Sequence, residues 1–190
     1  SKPYSMEAPA MKAQKVEGGE AAPVGGPKKQ QQFEDLASVL DTAKCSVLNA
    51  ANPQDLKAVL CGPSEGEATA ILRSDCDEQL LFEVSFAQPV RLQSIAISAP
   101  SAAPATVRLF VNKQGFGFDD VESCAATQTL TLSGAAQQVP LQFVKFQSVN
   151  YLTIFVENNQ DDEEVTCVQR VAFVGEAQHK TNMNDLKKGG

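Results

Sequence analysis

The sequence predicts an all-β protein, an antiparallel β-sandwich of the jelly-roll type with one or two short helices on its N-terminal side. Two observations predict this fold. After residue 70 the chain contains about eight short stretches in which apolar and polar residues alternate, with no helical pattern between them. Turn-forming Gly, Pro, Ser and Asn residues separate these stretches. Such a set of strands closes most easily as two packed antiparallel sheets.

Composition divides the 190 residues into three segments. Residues 1–32 are rich in Ala, Pro, Gly, Lys and Gln, and because they have almost no large apolar side chains we expect them to be disordered. Residues 33–177 carry the apolar patterns of the folded domain. Residues 178–190 are polar and are expected to form a flexible C-terminal tail.

Short helices are expected at the start of the domain. The apolar residues within 33–44 follow helical spacing, which is typical of an amphipathic helix packed on the body. A second helix is expected over 53–60, where Asn52 can cap the free N–H groups and Pro53 occupies the tolerated first position. Gly62 and Pro63 then end the helix.

The strands are expected to begin with a short one at 70–73. A longer strand follows at 80–86, and the turn signal Gln88-Pro89 comes after it. The apolar positions change parity between Leu92 and Ile95, which indicates a β-bulge. Further strands are expected at 107–111, 130–132, 141–146, 152–156 and 165–174.

The charge distribution restricts the classes of partner. Residues 1–32 carry a net charge of +2, whereas residues 33–190 carry eleven basic and twenty acidic side chains, a net charge of −9. Nucleic acids and anionic membrane surfaces require clustered Lys and Arg, so we expect no nucleic-acid or membrane partner. No run of about 18 apolar residues that would span a bilayer is present. Proteins and small molecules remain as partners.

The cysteines indicate a cellular compartment. The five of them are an odd number and are widely scattered, in a chain long enough to build a core. This pattern is typical of reduced thiols in a cytoplasmic protein, with the nucleus as a second location. The alternative is a disulfide framework.

Nothing in the sequence indicates catalysis, a metal or a cofactor. Cys61-Gly62-Pro63-Ser64 resembles a redox motif but ends a predicted helix and has no βαβ context. His179, the only histidine, lies in the polar tail. The acidic run 161–164 is interpreted as a solvated hairpin tip, because it lacks the ligand spacing and glycine of a calcium loop.

Four polar residues ahead of the 80–86 strand have two interpretations. Asp75, Asp77, Glu78 and Gln79 either accept backbone N–H bonds and fix the entry into the strand, or offer a negative surface to a basic partner. Both interpretations stay open, because buried and exposed carboxylates look alike in a sequence.

Several linked stretches form a recognisable set. They are Ser-Asp-Cys-Asp-Glu-Gln-Leu-Leu at 74–81, Phe-Ala-Gln-Pro-Val at 86–90, Val-Arg-Leu-Phe-Val-Asn at 107–112, Val-Lys-Phe-Gln-Ser-Val-Asn at 144–150, and Leu-Thr-Ile-Phe-Val-Glu-Asn-Asn-Gln at 152–160. Together they resemble the PITH domain family, the "proteasome-interacting thioredoxin" module that follows the thioredoxin domain of thioredoxin-like proteins and also stands alone. Thr-Asn-Met-Asn-Asp at 181–185 resembles the family's tail signature.

The resemblance implies a galactose-binding-domain-like jelly roll and a non-catalytic module associated with the 26S proteasome. It does not by itself imply sugar binding, because function lies in sites carried by a fold. The thioredoxin domain is missing from this sequence, since residues 1–32 are too few to form one. The chain is therefore either a stand-alone member of the family or a fragment of a longer protein. The redox activity of two-domain relatives is therefore not expected.

Our leading hypothesis is a non-catalytic intracellular module that binds the 26S proteasome or another large protein assembly. The expected contacts are one rim of the sandwich and the tail, through Asp75, Asp77, Glu78, Gln79, Thr181, Asn182, Met183, Asn184 and Asp185. One alternative is a small-ligand or carbohydrate-binding jelly roll that uses the loops 100–104 and 115–120, with Phe116 and Phe118 as stacking rings. Another is a structural subunit of a cytoskeletal complex.

Overall fold

A computed structural model describes residues 33–179 and shows the predicted antiparallel β architecture. The strands are β1 Glu34–Asp35, β2 Ser46–Leu48, β3 Leu72–Arg73, β4 Leu80–Ser98, β5 Thr106–Val111, β6 Gln128–Thr131, β7 Ala136–Pro140, β8 Val149–Val156, β9 Cys167–Val168 and β10 Arg170–Ala177. The α-helices are α1 Leu56–Cys61 and α2 Phe118–Ser123, and short 3-10 helices lie at Ala37–Val39, Thr42–Lys44, Pro53–Asp55 and Phe143–Phe146. No helix among residues 33–179 has the length and apolar character needed to cross a bilayer.

The long strand β4 joins the two layers of the sandwich. Its first half pairs with β2 on one side and with β8 on the other, and β5 and β6 continue that sheet. Its second half pairs with β10 and β7, and β1 adds to the far side of β10. The register with β8 shifts between Ser85 and Val90, where β4 passes from one sheet to the other. A small ribbon of β3 and β9 completes the pairing.

The predicted bulge in the second half of β4 is confirmed. Val174 of β10 pairs with Ser94 and Gly175 pairs with Leu92, so Gln93 has no residue opposite it. The extra residue explains the change of parity along the strand. Gly175 is required at this point, because a Cβ there would lie 1.9 Å from the backbone oxygen of Arg91.

The core lies between the two layers and contains the alternating residues of both. The rings of Phe86 and Phe173 meet edge to face, with their centroids 5.6 Å apart. The largest core side chains with almost no exposed surface are Phe82, Phe146, Phe173, Leu60, Leu72, Leu80, Leu92, Ile95, Leu109 and Leu130. Burial of this apolar surface is the main stabilising contribution to the fold.

A second apolar cluster covers the outer face of the sheet formed by β4, β8 and β5. There Leu81, Phe110 and Phe155 pack beneath Val121 of α2. The guanidinium of Arg108 lies 5.0 Å from the centroid of the Phe155 ring and donates to the carbonyl of Val121. The segment from Phe116 to Ala126 therefore shields a sheet face that would otherwise meet solvent.

The predicted second helix is confirmed as the 3-10 helix Pro53–Asp55 followed by α1, which Gly62 ends with φ +87°. The predicted role of Asn52 is wrong, because its side chain caps no N–H group of the helix. Its carboxamide instead donates to the carbonyl of Ile71 and accepts from the amide of Arg73. Asn52 thus ties the helical segment to β3.

The predicted amphipathic helix over 33–44 is wrong. This stretch forms β1 and two 3-10 helices, although Leu36 and Leu40 are buried as expected. The amide of Leu36 donates to the carbonyl of Phe173, so the segment adds to the edge of β10. An isolated helix of this length is marginal in water, and pairing with the sheet replaces it.

Three further expectations differ from the structure. The stretch 141–146 is not a strand, because β7 ends at Pro140 and a 3-10 helix follows. Gln88 and Pro89 form no turn and lie within β4 at its passage between the sheets. The last predicted strand is divided into β9 and β10, which belong to different sheets. Helix α2, begun by the Gly117 amide donating to the Asp120 carboxylate, was not predicted.

Candidate functional site

The corner loop, residues 74–79, is held by Asn49. This residue has the left-handed φ of +62°, which Asn tolerates better than most residues. Its amide nitrogen Nδ2 donates to Asp77 Oδ1 and to the carbonyl of Gln79, both at 2.7 Å. Its Oδ1 accepts from the amide of Cys76 at 3.0 Å. The Asn49 side chain thus fixes the conformation of the corner loop just before β4 begins.

The acidic residues of the corner loop have different environments. Asp77 Oδ1 also accepts from the amide of Gln79 at 3.0 Å, so this carboxylate stabilises the loop. Asp75 is exposed and Glu78 is half-buried, and no nitrogen donor among residues 33–179 bonds to either carboxylate. Asp77 therefore matches the structural interpretation, whereas Asp75 and Glu78 have carboxylates available to a partner.

The acidic loop, residues 161–164, is organised by the buried Asn159, which is 4% exposed. Asn159 Oδ1 accepts from the amides of Asp161 and Glu163, and Nδ2 donates to the carbonyl of Glu163 at 2.8 Å. Asp161 Oδ2 in turn accepts from the amide of Ala102 at 2.8 Å. These hydrogen bonds fix the conformation of the acidic loop, and the Asp161 carboxylate takes part in them.

Thr166 connects the acidic loop to the corner loop. Its amide donates to Ser74 Oγ at 2.9 Å, and its hydroxyl donates to the carbonyl of Glu78 at 2.6 Å. Asn159 Nδ2 donates to the same hydroxyl at 3.1 Å. Because Ser74, Asn159 and Thr166 are all buried, these bonds join two acidic stretches that lie far apart in the sequence. We call this end of the sandwich the acidic end, comprising Glu78 and residues 161–164.

A cleft of about 580 Å³ opens at the acidic end. It is lined by residues 161–165 together with Arg73, Ser101, Ala102 and Cys167. An adjoining hollow of about 180 Å³ is lined by Glu78 together with Asn158, Asn159 and residues 162–164. The carboxylates are exposed, and the side chain of Val165 is 36% exposed beside them. This combination of concave shape, negative charge and an apolar side chain suits a basic protein segment.

The start of the C-terminal tail lies at the opposite end of the sandwich. β10 begins at Arg170, opposite Ser98, and ends at Ala177, opposite Val90. Its eight residues separate the two ends by roughly 25 Å. Of the residues predicted to contact a partner, Thr181, Asn182, Met183, Asn184 and Asp185 lie outside the described residues.

The loops predicted for sugar stacking have their aromatic rings occupied. The ring of Phe116 packs on Phe110 and that of Phe118 packs on Phe155, with centroids 5.6 and 6.1 Å apart. Residues 100–104 contribute no ring, and no aromatic residue lines the cleft at the acidic end. Among the described residues, the acidic end therefore presents no aromatic platform of the kind that sugar-binding sites use, whereas Phe116, which is half-buried, lines a separate hollow of about 380 Å³.

All five cysteines are free thiols. Burial raises the pKa of Cys45 and of Cys61, which lowers the fraction of reactive thiolate at neutral pH. Cys76 and Cys124 are exposed and Cys167 is buried. Residues 33–179 also contain no group of three or more His, Cys, Asp or Glu side chains placed to hold a metal ion.

Comparison with known families decides the assignment. The family model described as "PITH domain" matches residues 26–190. The chain belongs to the PITH domain family. Membership indicates an interaction module and confirms the resemblance seen in the stretches before β4 and along β5 and β8.

Two relatives illustrate the match to this PITH domain. Thioredoxin-like protein 1 of Schizosaccharomyces pombe is 33% identical over 178 residues, which cover 88% of this chain and 58% of the relative. The PITH domain-containing protein ZK353.9 of Caenorhabditis elegans is 30% identical over 152 residues, which cover 77% of this chain and 72% of the relative. The chain thus spans little more than half of the first relative.

Solved structures confirm the galactose-binding-like jelly roll. The family 32 carbohydrate-binding module of Clostridium perfringens NanJ, solved in complex with galactose, has a TM-score of 0.54 at 8% identity, covering 75% of this chain and 99% of that one. The fucolectin from Morone saxatilis serum has a TM-score of 0.50 at 12% identity, covering 77% and 50%. At these identities the likeness shows the fold alone.

Proposed function

We propose that this PITH domain is a non-catalytic protein-interaction module that associates with the 26S proteasome, in the cytoplasm and the nucleus. The observation that carries the proposal is the acidic end, where residues 161–164 line a cleft and, with Glu78, an adjoining hollow. The family resemblance supports the choice of the proteasome among large assemblies. The reduced cysteines support the compartment.

The charge of the domain supports a basic partner segment. Residues 33–179 contain eight basic and nineteen acidic side chains, a net charge of −11. Such a field accelerates the approach of a basic surface, and a concave acidic wall adds selectivity against acidic ones. Each exposed ion pair contributes little, about 0.2–1 kcal/mol, so several carboxylates must act together. Binding is therefore expected to weaken as the salt concentration rises.

A test at the acidic end is affinity purification from a native cell extract. The acidic-end variant carries Glu78→Gln, Glu163→Gln and Glu164→Gln, which remove three charges with little change of shape. Loss of three ion pairs is expected to reduce the recovery of proteasome subunits about fivefold or more. Quantitative mass spectrometry of the bound fraction measures this recovery.

The matched control carries Glu65→Gln, Asp119→Asn and Glu122→Gln. These side chains are exposed, make no hydrogen bond or ion pair with residues 33–179, and lie outside the cleft. The control removes the same charge and is expected to keep the recovery of the wild type. Equal recovery by both variants would reject the acidic end as the contact, and no enrichment by the wild type would reject the partner.

A third arm tests the tail, which we propose as a separate contact. A form that ends at residue 179 removes Thr181 to Asp185 and leaves the last hydrogen bonds of the body in place. The tail starts at the end opposite the cleft, so its loss and the loss of the acidic end are expected to add in free energy. Full recovery without residues 180–190 would reject the role of the tail.

A further inference from the structure

The edge of the sheet at β2 has a free side. β2 pairs with β4, and no second strand among residues 33–179 pairs with it. Alternate residues of β2 direct their N–H and C=O groups away from β4. Such groups bind an extended segment of another chain, which adds to the sheet as a further strand. Because β2 has only three residues, backbone pairing alone contributes little and side-chain contacts have to supply the rest.

A hollow of about 380 Å³ opens beside this edge, on the outer face of the sheet. Ser46 of β2 lies directly opposite Glu83 of β4. Leu48, which is 44% exposed, lies opposite Leu81. We call this site the edge hollow, and it is lined by Ser46, Leu48, Leu81, Glu83, Thr153 and residues 115–117.

Glu83 gives the edge hollow a negative charge that no neighbouring cation neutralises. Its Oε2 accepts from the amide of Gly115 at 2.7 Å, and its Oε1 accepts no hydrogen bond from residues 33–179. No ion pair within these residues involves Glu83, and none of their basic side chains lines the edge hollow. Lys44, close to β2 in the sequence, is paired with Asp41 at 3.0 Å. The carboxylate of Glu83 is therefore available to a Lys or Arg side chain of a partner.

The register of β2 determines which partner residues face the edge hollow. A strand added to β2 lies about 5 Å from it and about 10 Å from β4. A Lys or Arg side chain opposite Ser46 spans that distance together with Glu83, and the small Ser46 leaves the path over β2 open. The partner residue opposite Leu48 is two positions away on the same face and meets an apolar side chain. The matching segment therefore has a basic and an apolar residue two positions apart.

We propose that the edge of β2 binds an extended basic segment of a partner protein, which adds a strand to the sheet and places a basic side chain over Glu83 and an apolar one over Leu48. A second copy of this chain fits the edge less well, because residues 33–179 carry a net charge of −11 and each copy would bring its own Glu83. The inference does not rest on the proposed function, since the edge hollow shares no lining residue with the acidic end.

Titration of the isotope-labelled full chain with defined peptides, followed by amide chemical shifts, tests the inference. The probe is the blocked hexapeptide Thr-Val-Lys-Thr-Leu-Thr, in which Lys and Leu are two positions apart. It is expected to bind saturably and to shift the amides of residues 46–48, 81–83 and 115–117. The peptide Thr-Val-Lys-Leu-Thr-Thr has the same composition but directs Lys and Leu to opposite faces, so it is expected to bind about threefold more weakly or worse.

Two further comparisons separate the charge from the backbone pairing. Glu83→Gln removes the charge and keeps an oxygen for the amide of Gly115, and it is expected to bind the probe about threefold more weakly or worse. The control, Glu122→Gln, changes an exposed side chain of α2 outside the edge hollow and is expected to bind as the wild type does. Of two probes N-methylated at alternate amides, one is expected to lose binding, because its donors to β2 are blocked.

Absence of saturable shifts at residues 46–48, equal affinity of the wild type and Glu83→Gln, or equal binding of both N-methylated probes would overturn the inference. Shifts confined to Glu78 and residues 161–165 would place the basic peptide at the acidic end, which would support the proposed function and overturn this inference. Shifts at residues 46–48 that grow with protein concentration in the absence of peptide would assign the edge to a second copy, and would overturn it equally.

Discussion

Gly175→Ala is expected to destabilise the domain by about 3 kcal/mol or more, the largest effect expected from a methyl group at any of the six glycines within residues 33–179. The added Cβ would lie 1.9 Å from the backbone oxygen of Arg91, 2.9 Å from its carbonyl carbon and 3.1 Å from Leu92 Cα. All three atoms belong to the backbone of β4, so no side-chain rotation relieves the clash. β10 and β4 would have to separate next to the bulge.

The control for this substitution is Gly134→Ala. At that position the nearest atom to an added Cβ is the Ala136 oxygen, at 3.9 Å, an ordinary contact. Its stability is expected to stay within about 0.5 kcal/mol of the wild type. Urea unfolding, followed by the midpoint and the slope m, measures both changes. A Gly175→Ala protein with the midpoint of the wild type would show that the bulge is not the close contact described above.

Asn159→Ala is the second substitution with a large expected effect, a loss of about 2–3 kcal/mol of stability. The side chain makes four hydrogen bonds, with the amides of Asp161 and Glu163, the carbonyl of Glu163 and the hydroxyl of Thr166. Ala replaces none of them and leaves buried polar groups without partners. The acidic loop then loses its fixed position, so partner binding is expected to fall together with stability.

Asn150→Ala provides the comparison for Asn159→Ala. Its side chain makes no hydrogen bond with residues 33–179, and its stability is expected to change by less than about 0.5 kcal/mol. Urea unfolding measures stability, and recovery of the assembly measures binding. An Asn159→Ala protein that keeps both would mean that the acidic loop is positioned by other groups.

The strands that alternate cleanly could be predicted because a two-residue period depends only on local sequence. The bulge could be predicted for the same reason, since one extra residue reverses the parity between Leu92 and Ile95. The structure of the stretch 33–44 could not be predicted, because an edge strand with two 3-10 helices buries its apolar residues as well as an amphipathic helix would. Pairing of β1 with β10, a contact between the two ends of the domain, decided its structure.

The two acidic stretches could be recognised one at a time, but not as one site. The two stretches are held together by hydrogen bonds of the buried polar residues Ser74, Asn159 and Thr166, which in a sequence resemble ordinary loop residues. Asn49 holds the corner loop from outside it and gave no local signal. The contacts of the Phe116 and Phe118 rings could not be predicted either, because the sequence indicated neither α2 nor the second apolar cluster beneath it.

The most direct test of the proposed function is equilibrium binding of the purified chain to purified 26S proteasome at low and at moderate salt. Saturable binding is expected for the wild type. It is expected to weaken about tenfold in the variant carrying Glu78→Gln, Glu163→Gln and Glu164→Gln, and less at moderate salt, where screening already weakens the ion pairs. Absence of saturable binding by the wild type, or equal affinity of the two proteins at low salt, would contradict the account.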